Sequence, residues 1–169
     1  MVYINSRADD VEFSNTARKR IAGRFLLGIQ RDSATVFLME VEPTMEILLK
    51  RAYEAADRAD GFRVLVDRLW PRGKKKVDLR LDAWAKDISP STELREWFNH
   101  DPQRWVEFCK RYKAELCSPE IKDAIAGIVH AAEKHASMTL IYGAKDTVHN
   151  EAVVLLPIFK RAATKAAKA

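Results

Sequence analysis

The segment DRLWPRG, residues 67–73, combines a carboxylate, two guanidinium groups and an indole in one short stretch. Arginine side chains hold phosphate or carboxylate groups through parallel hydrogen bonds, and an indole face stacks on a base or a cation. A structural interpretation is also open, in which the carboxylate pairs with one arginine and the indole packs in the core. The anion-binding interpretation makes Asp67 an acid-base group and makes Arg68, Trp70, Arg72 and Gly73 ligand-binding residues.

A second polar segment, GAKDTVHN at residues 143–150, follows an apolar run. Asp146 has the residue type and position of a helix N-cap, which is its structural interpretation. If it caps a helix, His149 and Asn150 lie in the first turn, where the positive end of the helix dipole disfavours imidazolium. Lys145 adds a cation beside free backbone N–H groups, and this combination predicts an anion-binding site. We therefore expect His149 and Asp146 to be catalytic groups and Lys145 and Asn150 to bind ligand.

Several common catalytic and metal-binding motifs are missing from the sequence. Neither polar segment has the glycine spacing of a dinucleotide or Walker loop, and no Gly-x-Ser-x-Gly motif occurs. The cysteines and histidines lack the Cys-x-x-Cys and His-x-x-x-His spacings of zinc sites, so we predict no metal and no cofactor. Cys109 and Cys117 fall in one predicted helix, about 12 Å apart, which is too far for a disulfide. We expect both to be reduced.

Composition and charge indicate a soluble globular domain. The 47% of hydrophobic and 31% of charged residues exclude a disordered polyelectrolyte, and no uncharged stretch approaches the roughly 20 residues of a membrane span. The net charge of +5 is unevenly distributed, because residues 1–44 contribute zero and the last ten residues contribute +4. A near-neutral body with a basic tail is weak support for a nucleic-acid surface. We expect a cytoplasmic protein with no membrane partner.

The apolar patterns that position these polar segments begin after Met45. Short apolar runs predict strands, and stripes at helical spacing behind N-cap signals predict helices. The predicted strands are Ile47–Leu49, Arg63–Asp67 and Thr139–Tyr142, and the predicted helices begin at Ser91, Asp101, Ser118 and near Thr147. This order predicts an α/β fold: a single domain with a small, mainly parallel sheet covered by helices in a three-layer, Rossmann- or flavodoxin-like arrangement.

The chain divides into three predicted segments. Residues 1–44 lack a sustained core pattern and are an N-terminal extension, which either has its own role or is upstream sequence translated from an early start, with Met45 as the true beginning. Residues 45–157 form the α/β domain. Because Pro157 is expected to kink or end the last helix, residues 158–169 form a basic C-terminal tail.

Ligands of parallel α/β sheets bind beyond the carboxyl ends of the strands, so we expect the two polar segments to meet around one open cavity. The predicted function is binding of a phosphate- or carboxylate-bearing small molecule there, with catalysis left open. One alternative is a nucleic-acid-binding or regulatory module that uses Lys74–Lys76 and the basic tail. The other is a non-catalytic interaction protein in which the polar segments only stabilise the fold.

Three long strings of this sequence resemble a known family. They are RVLVDRLWPRG at residues 63–73, LREWFNHDPQRWVEFCKRYKAEL at 94–116 and TLIYGAKDTVHNEAVVL at 139–155. All three resemble the YeaO-like proteins, a bacterial family catalogued as domain of unknown function 488, over about residues 45–155. The resemblance implies a compact cytosolic α/β domain, and it implies that the candidate residues of both polar segments match the family's recurring motifs. It implies no activity and no residue roles.

Overall fold

The computed structural model describes residues 45–168. The predictions for residues 1–44, an extension or an early start, lie outside the described residues. The strands are β1 (Glu46–Arg51), β2 (Phe62–Leu65), β3 (Ala83–Trp84) and β4 (Ser137–Tyr142), and the helices are α1 (Lys76–Leu79), α2 (Thr92–Phe98), α3 (Trp105–Glu115), α4 (Pro119–Ala132) and α5 (Glu151–Ala166). Within residues 45–168, none of the helices has the length and apolar character that crossing a bilayer requires.

The four strands form one parallel sheet in the order β1-β4-β2-β3. The central strand β4 pairs with both neighbours, so that Leu140 lies opposite Leu49 on one side and Val64 on the other. The two-residue edge strand β3 was not predicted, since its sequence carries no apolar run. A single α/β domain with a small parallel sheet is confirmed, and the carboxyl ends of all four strands lie along the same edge.

The two faces of the sheet are covered unequally. Alternate residues of the strands, including Val64, Val66 and Leu140, join a large apolar cluster to which helices α2 to α5 all contribute. The opposite side chains, Leu65 and Ile141, belong to a much smaller cluster with residues from α1 and its surroundings. The predicted three-layer, Rossmann- or flavodoxin-like arrangement stays a prediction beyond this parallel sheet.

The N-terminal ends of the middle helices follow the signals in the sequence. Ser91 accepts a hydrogen bond from the backbone N–H of Leu94 and begins α2, and Ser118 accepts one from Ile121 and begins α4. Both side chains satisfy an N–H group that has no partner inside its helix. Cys109 lies in α3 and Cys117 just beyond its end, and both are free thiols.

The last helix differs from the prediction at both ends. It begins at Glu151 with Asn150 as N-cap, one turn later than expected. It then continues through Pro157 to Ala166, so the predicted segment boundary at 157 falls inside a helix. Pro157 is exposed, whereas Phe159 beyond it is completely buried, so the second half of α5 is anchored in the large apolar cluster. Packing of this kind outweighs the loss of one helical hydrogen bond at a proline.

Candidate functional site

A cavity of about 550 Å³ opens at the carboxyl ends of β2 and β4. Residues 67–72, which follow β2, and residues 143–146, which follow β4, both line it. The remaining lining residues come from the loop after β1, from the α2 and α3 region and from the start of α5, and they include Tyr53, Arg95, Phe98, His100, Phe108 and Glu151. The two polar segments singled out in the sequence therefore lie on the same cavity.

Asp67 joins the two polar segments. Its Oδ2 atom accepts a hydrogen bond of 2.8 Å from the backbone N–H of Gly143. A Cβ atom at position 143 would lie 2.7 Å from the same oxygen, so only glycine allows this approach. The carboxyl ends of β2 and β4 are thus held together at the floor of the cavity by a single side chain.

Glu151 and Asp67 both line the cavity, with their carboxyl groups close enough to share a proton. Burial raises the pKa of Glu151 well above its usual value, and hydrogen bonding to Asp67 and the negative charge of that residue raise it further. The shift favours one proton shared by the two carboxyl groups over two carboxylates, and the buried Oδ1 atom of Asp67, which has no other donor within residues 45–168, is placed to accept it. Glu151 was not predicted as a site residue, because a glutamate in the first turn of a helix is common for electrostatic reasons alone.

The arginines around the cavity differ in what they contact. Arg68 donates from Nε to the backbone oxygen of Pro90 at 2.8 Å and from Nη2 to that of Ser89 at 3.4 Å, so it anchors the chain that leads into α2. Arg72 is exposed on the lining. Arg95 of α2 also lines the cavity; its side chain is 40% exposed, and its Nη2 atom donates to Glu96 Oε1 at 3.4 Å. Arg95 was not predicted as a site residue, because it occupies an ordinary position in an amphipathic helix.

Trp70 forms a wall of the cavity. Its Nε1 atom donates to the backbone oxygen of Lys74 at 2.7 Å, and its ring meets that of Trp84 edge to face at 5.1 Å. The same ring packs against the small apolar cluster, so it has a structural contact as well as a cavity-facing position. Gly73 lies outside the lining and occupies a turn with a φ of 73°, which favours glycine.

Asp146 and His149 form a hydrogen-bonded pair at the rim. Asp146 Oδ1 accepts from the backbone N–H of Val148 at 2.7 Å and of His149 at 3.0 Å, and Oδ2 lies 2.7 Å from His149 Nδ1. These hydrogen bonds lower the pKa of Asp146 to about 2. The prediction that Asp146 caps the last helix was wrong, because Asn150 is the N-cap.

The prediction that His149 lies within the first turn of that helix was therefore also wrong. Its ring faces a carboxylate and meets Trp105 edge to face at 5.3 Å, outside the lining of the cavity. Asn150 is completely buried, and its Nδ2 atom donates to the backbone oxygen of Asp146 at 2.9 Å. Of the residues predicted in this segment, Lys145 and Asp146 line the cavity, whereas His149 and Asn150 lie outside its lining.

The lining carries a positive net charge. Four basic side chains line it, Arg68, Arg72, Arg95 and Lys145, against three carboxyl groups, Asp67, Asp146 and Glu151. Aromatic side chains supply much of the remaining wall. Within residues 45–168, no group of three His, Cys, Asp or Glu side chains is arranged to hold a metal ion. The chemistry of the lining suits an anion attached to an uncharged body.

Comparison with known proteins gives the family of the chain. Residues 46–169 match the family DUF488-N3i, described as the inactive DUF488-N3 subclade. The uncharacterized protein YeaO of Escherichia coli is 47% identical over 112 residues, which are 66% of this chain and 94% of that protein. The uncharacterized protein Rv3073c of Mycobacterium tuberculosis is 53% identical over 70 residues, 41% of this chain and 59% of its own length. No solved structure matches significantly. The chain therefore belongs to the YeaO-like DUF488 family.

Proposed function

We propose that this protein binds a phosphate- or carboxylate-bearing small molecule in the cavity at the carboxyl ends of β2 and β4. The position is the usual ligand site of parallel α/β sheets. The lining has a net positive charge, and Arg72 and Lys145 extend it to the exposed rim. In this proposal Arg95, Arg72 and Lys145 hold the anion, Arg68 positions the loop before α2, and Trp70 is a wall.

The gathering of four cationic side chains, Arg68, Arg72, Arg95 and Lys145, on one cavity at the carboxyl ends of the strands is the observation that carries the proposal. Arg72 and Lys145 are exposed, so their charged groups are free to meet an anion at the rim. The side chain of Arg95 is 40% exposed, and its exposed pair with Glu96, at 3.4 Å, contributes little to stability.

Replacing Arg95 with leucine is expected to weaken anion binding at least tenfold with little effect on the melting temperature, because the change removes a cation of the lining and, for stability, only an exposed pair with Glu96. Binding is measured by calorimetry with inorganic phosphate, ribose 5-phosphate and citrate, and stability by thermal unfolding. Arg111→Leu is the control, since Arg111 pairs with Glu107 on the surface and stacks over Trp97. A melting temperature that falls in Arg95→Leu, with unchanged binding, would assign Arg95 to the fold alone and refute the proposal.

The rim cations provide a second prediction with matched controls. Arg72→Ala and Lys145→Ala are each expected to lower the affinity for the same anions about tenfold, since a charged hydrogen bond contributes roughly 1.5–3 kcal/mol. Arg58→Ala and Lys134→Ala remove equally exposed cations just before β2 and β4, at the opposite edge of the sheet. Equal losses in all four variants would mean that the anions respond to the overall charge and not to this cavity.

Binding without turnover is the form of the proposal that fits the family. The matched subclade is described as inactive, and the histidine predicted to act as a base lies outside the lining with its Nδ1 atom engaged by Asp146. A nucleic-acid-binding module is less favoured. Lys74–Lys76 follow the cavity loop, whereas the basic residues of the tail, Lys160, Arg161, Lys165 and Lys168, lie in the second half of α5 or just beyond it, about 13 to 25 Å along the helix axis from its first residue.

A further inference from the structure

The cavity is much larger than the anion that the cations would hold. A tetrahedral oxyanion replaces only a few water molecules, each of which takes about 30 Å³, whereas the cavity measures about 550 Å³. Volumes of this size accommodate organic ligands. The ligand therefore has a body besides its charged group, and the side chains away from Arg72 and Lys145 contact that body.

The most distinctive groups facing the body are the carboxyl groups of Asp67 and Glu151. Asp67 Oδ2 is already bonded to the backbone of Gly143, and the proton that the two groups share lies between them. The pair therefore offers its remaining oxygen lone pairs as acceptors, and no free donor, on the floor of a net positive cavity. Tyr112 of α3 lies near it, but its hydroxyl donates to the backbone oxygen of Ile88 at 2.6 Å and is already engaged.

A hydroxyl group is the ligand group that suits this pair. A second anionic group would be repelled by Asp67, and an ammonium group would be repelled by the surrounding arginines. A hydroxyl is uncharged and donates a hydrogen bond, so it suits a pair of acceptors whose own proton is already engaged. Carboxylates that accept hydrogen bonds from sugar hydroxyls perform the same task in nucleotide-binding folds.

We propose that the cavity takes a hydroxylated organic anion, of which a sugar phosphate is representative, with its hydroxyl groups bound by Asp67 and Glu151. This inference rests on the proposed function and adds the class of ligand. It makes Asp67 and Glu151 the residues that distinguish polyol anions from plain alkyl anions. The aromatic walls formed by Trp70 and Phe98 then enclose the carbon chain.

The test compares ligands that differ only in their hydroxyl groups. Calorimetry measures the binding of glycerol 3-phosphate and of propyl phosphate, which has the same three carbons and no hydroxyl, and then of ribose 5-phosphate. The wild-type protein is expected to bind both hydroxylated esters at least tenfold more tightly than propyl phosphate, because a site that bonds hydroxyl groups discriminates strongly against analogues that lack them. If carboxylates bind and phosphates do not, glycerate and propionate are the equivalent pair.

Variants of Glu151 test whether the preference for hydroxylated esters depends on Asp67 and Glu151. Glu151→Ala is expected to lose most of the preference for the hydroxylated esters over propyl phosphate, whereas Glu151→Gln, which keeps a donor towards Asp67 and an acceptor for the ligand, retains most of it. Equal affinity of the wild type for propyl phosphate and glycerol 3-phosphate would overturn this inference and leave the proposed function intact. A preference that survives Glu151→Ala would also overturn it. No binding of any phosphate or carboxylate would overturn both.

Discussion

Gly61→Ala is expected to destabilise the protein by about 3 kcal/mol and to lower its melting temperature by about 10 °C. Gly61 immediately precedes β2 and has a φ of 63°, a conformation that L-residues rarely adopt. A Cβ atom there would also overlap the backbone carbonyl oxygen of Ser137 at the start of β4. The substitution therefore adds backbone strain and separates the two strands whose opposite ends frame the cavity.

Two other glycines separate these causes. Gly73→Ala adds a Cβ atom to a residue that already has a positive φ. It is expected to cost only about 1 kcal/mol, because nothing lies within 4 Å of the added carbon. Gly127→Ala lies on the exposed surface of α4 with no neighbour in reach, and it is expected to stabilise the protein by about 0.5–1 kcal/mol. Chemical denaturation of the three variants gives the comparison. If Gly61→Ala loses no more stability than Gly73→Ala, the close approach of residue 61 to β4 is incorrect.

Features that depend on neighbouring residues were predictable from the sequence. The apolar runs of β1, β2 and β4 and the caps Ser91 and Ser118 are local signals, and the structure contains all of them. Local signals fail where two residues offer the same interaction. Asp146 and Asn150 both suit an N-cap and stand one turn apart, and only the packing of α5 decides that Asn150 begins the helix.

Features that depend on distant residues were not predictable. Glu151 and Arg95 have ordinary local roles in the sequence, and their place in the site follows from where α5 and α2 pack. Arg63 is a further example, since a charged residue within a strand is expected to reach solvent. It is 3% exposed, and besides its pair with Asp60, three residues earlier, it donates to the backbone oxygen of Leu79 at 2.9 Å, 16 residues further along the chain. A single sequence contains no signal for a contact across that distance.

Stability is expected to fall as the pH rises above about 5 towards the raised pKa of Glu151, and Glu151→Gln is expected to remove this dependence. The folded-state pKa of Glu151 lies well above its ordinary value of 4.5. Between these two pKa values the folded protein holds a proton that the unfolded chain has released, so raising the pH favours unfolding by up to about 1.4 kcal/mol per pH unit. The dependence ends at the folded-state pKa, where both states are deprotonated.

Other shifted groups act outside this pH range. The pKa of Asp146 is lowered to about 2, so its contribution to stability is lost only as the pH falls below about 4. Tyr112 has a pKa that burial and the nearby Glu151 and Glu115 raise well above 10, so its ionisation disfavours the folded state only in strong base. Among the groups with shifted pKa values, Glu151 is therefore the one whose titration acts just above pH 5.

Denaturant unfolding at a series of pH values measures the effect. Glu107→Gln is the matched control, because the bond with Arg111 lowers the pKa of this exposed carboxyl group and places its influence in the acid range. The amide of Glu151→Gln keeps the hydrogen bond to Asp67 without a titrating proton. This variant is therefore expected to be more stable than the wild type at pH 8, and its advantage over the wild type is expected to be smaller at pH 5. The same slope in Glu151→Gln and in the wild type would show that the two carboxyl groups do not share a proton, and the basis for hydroxyl recognition in the cavity would be lost with it.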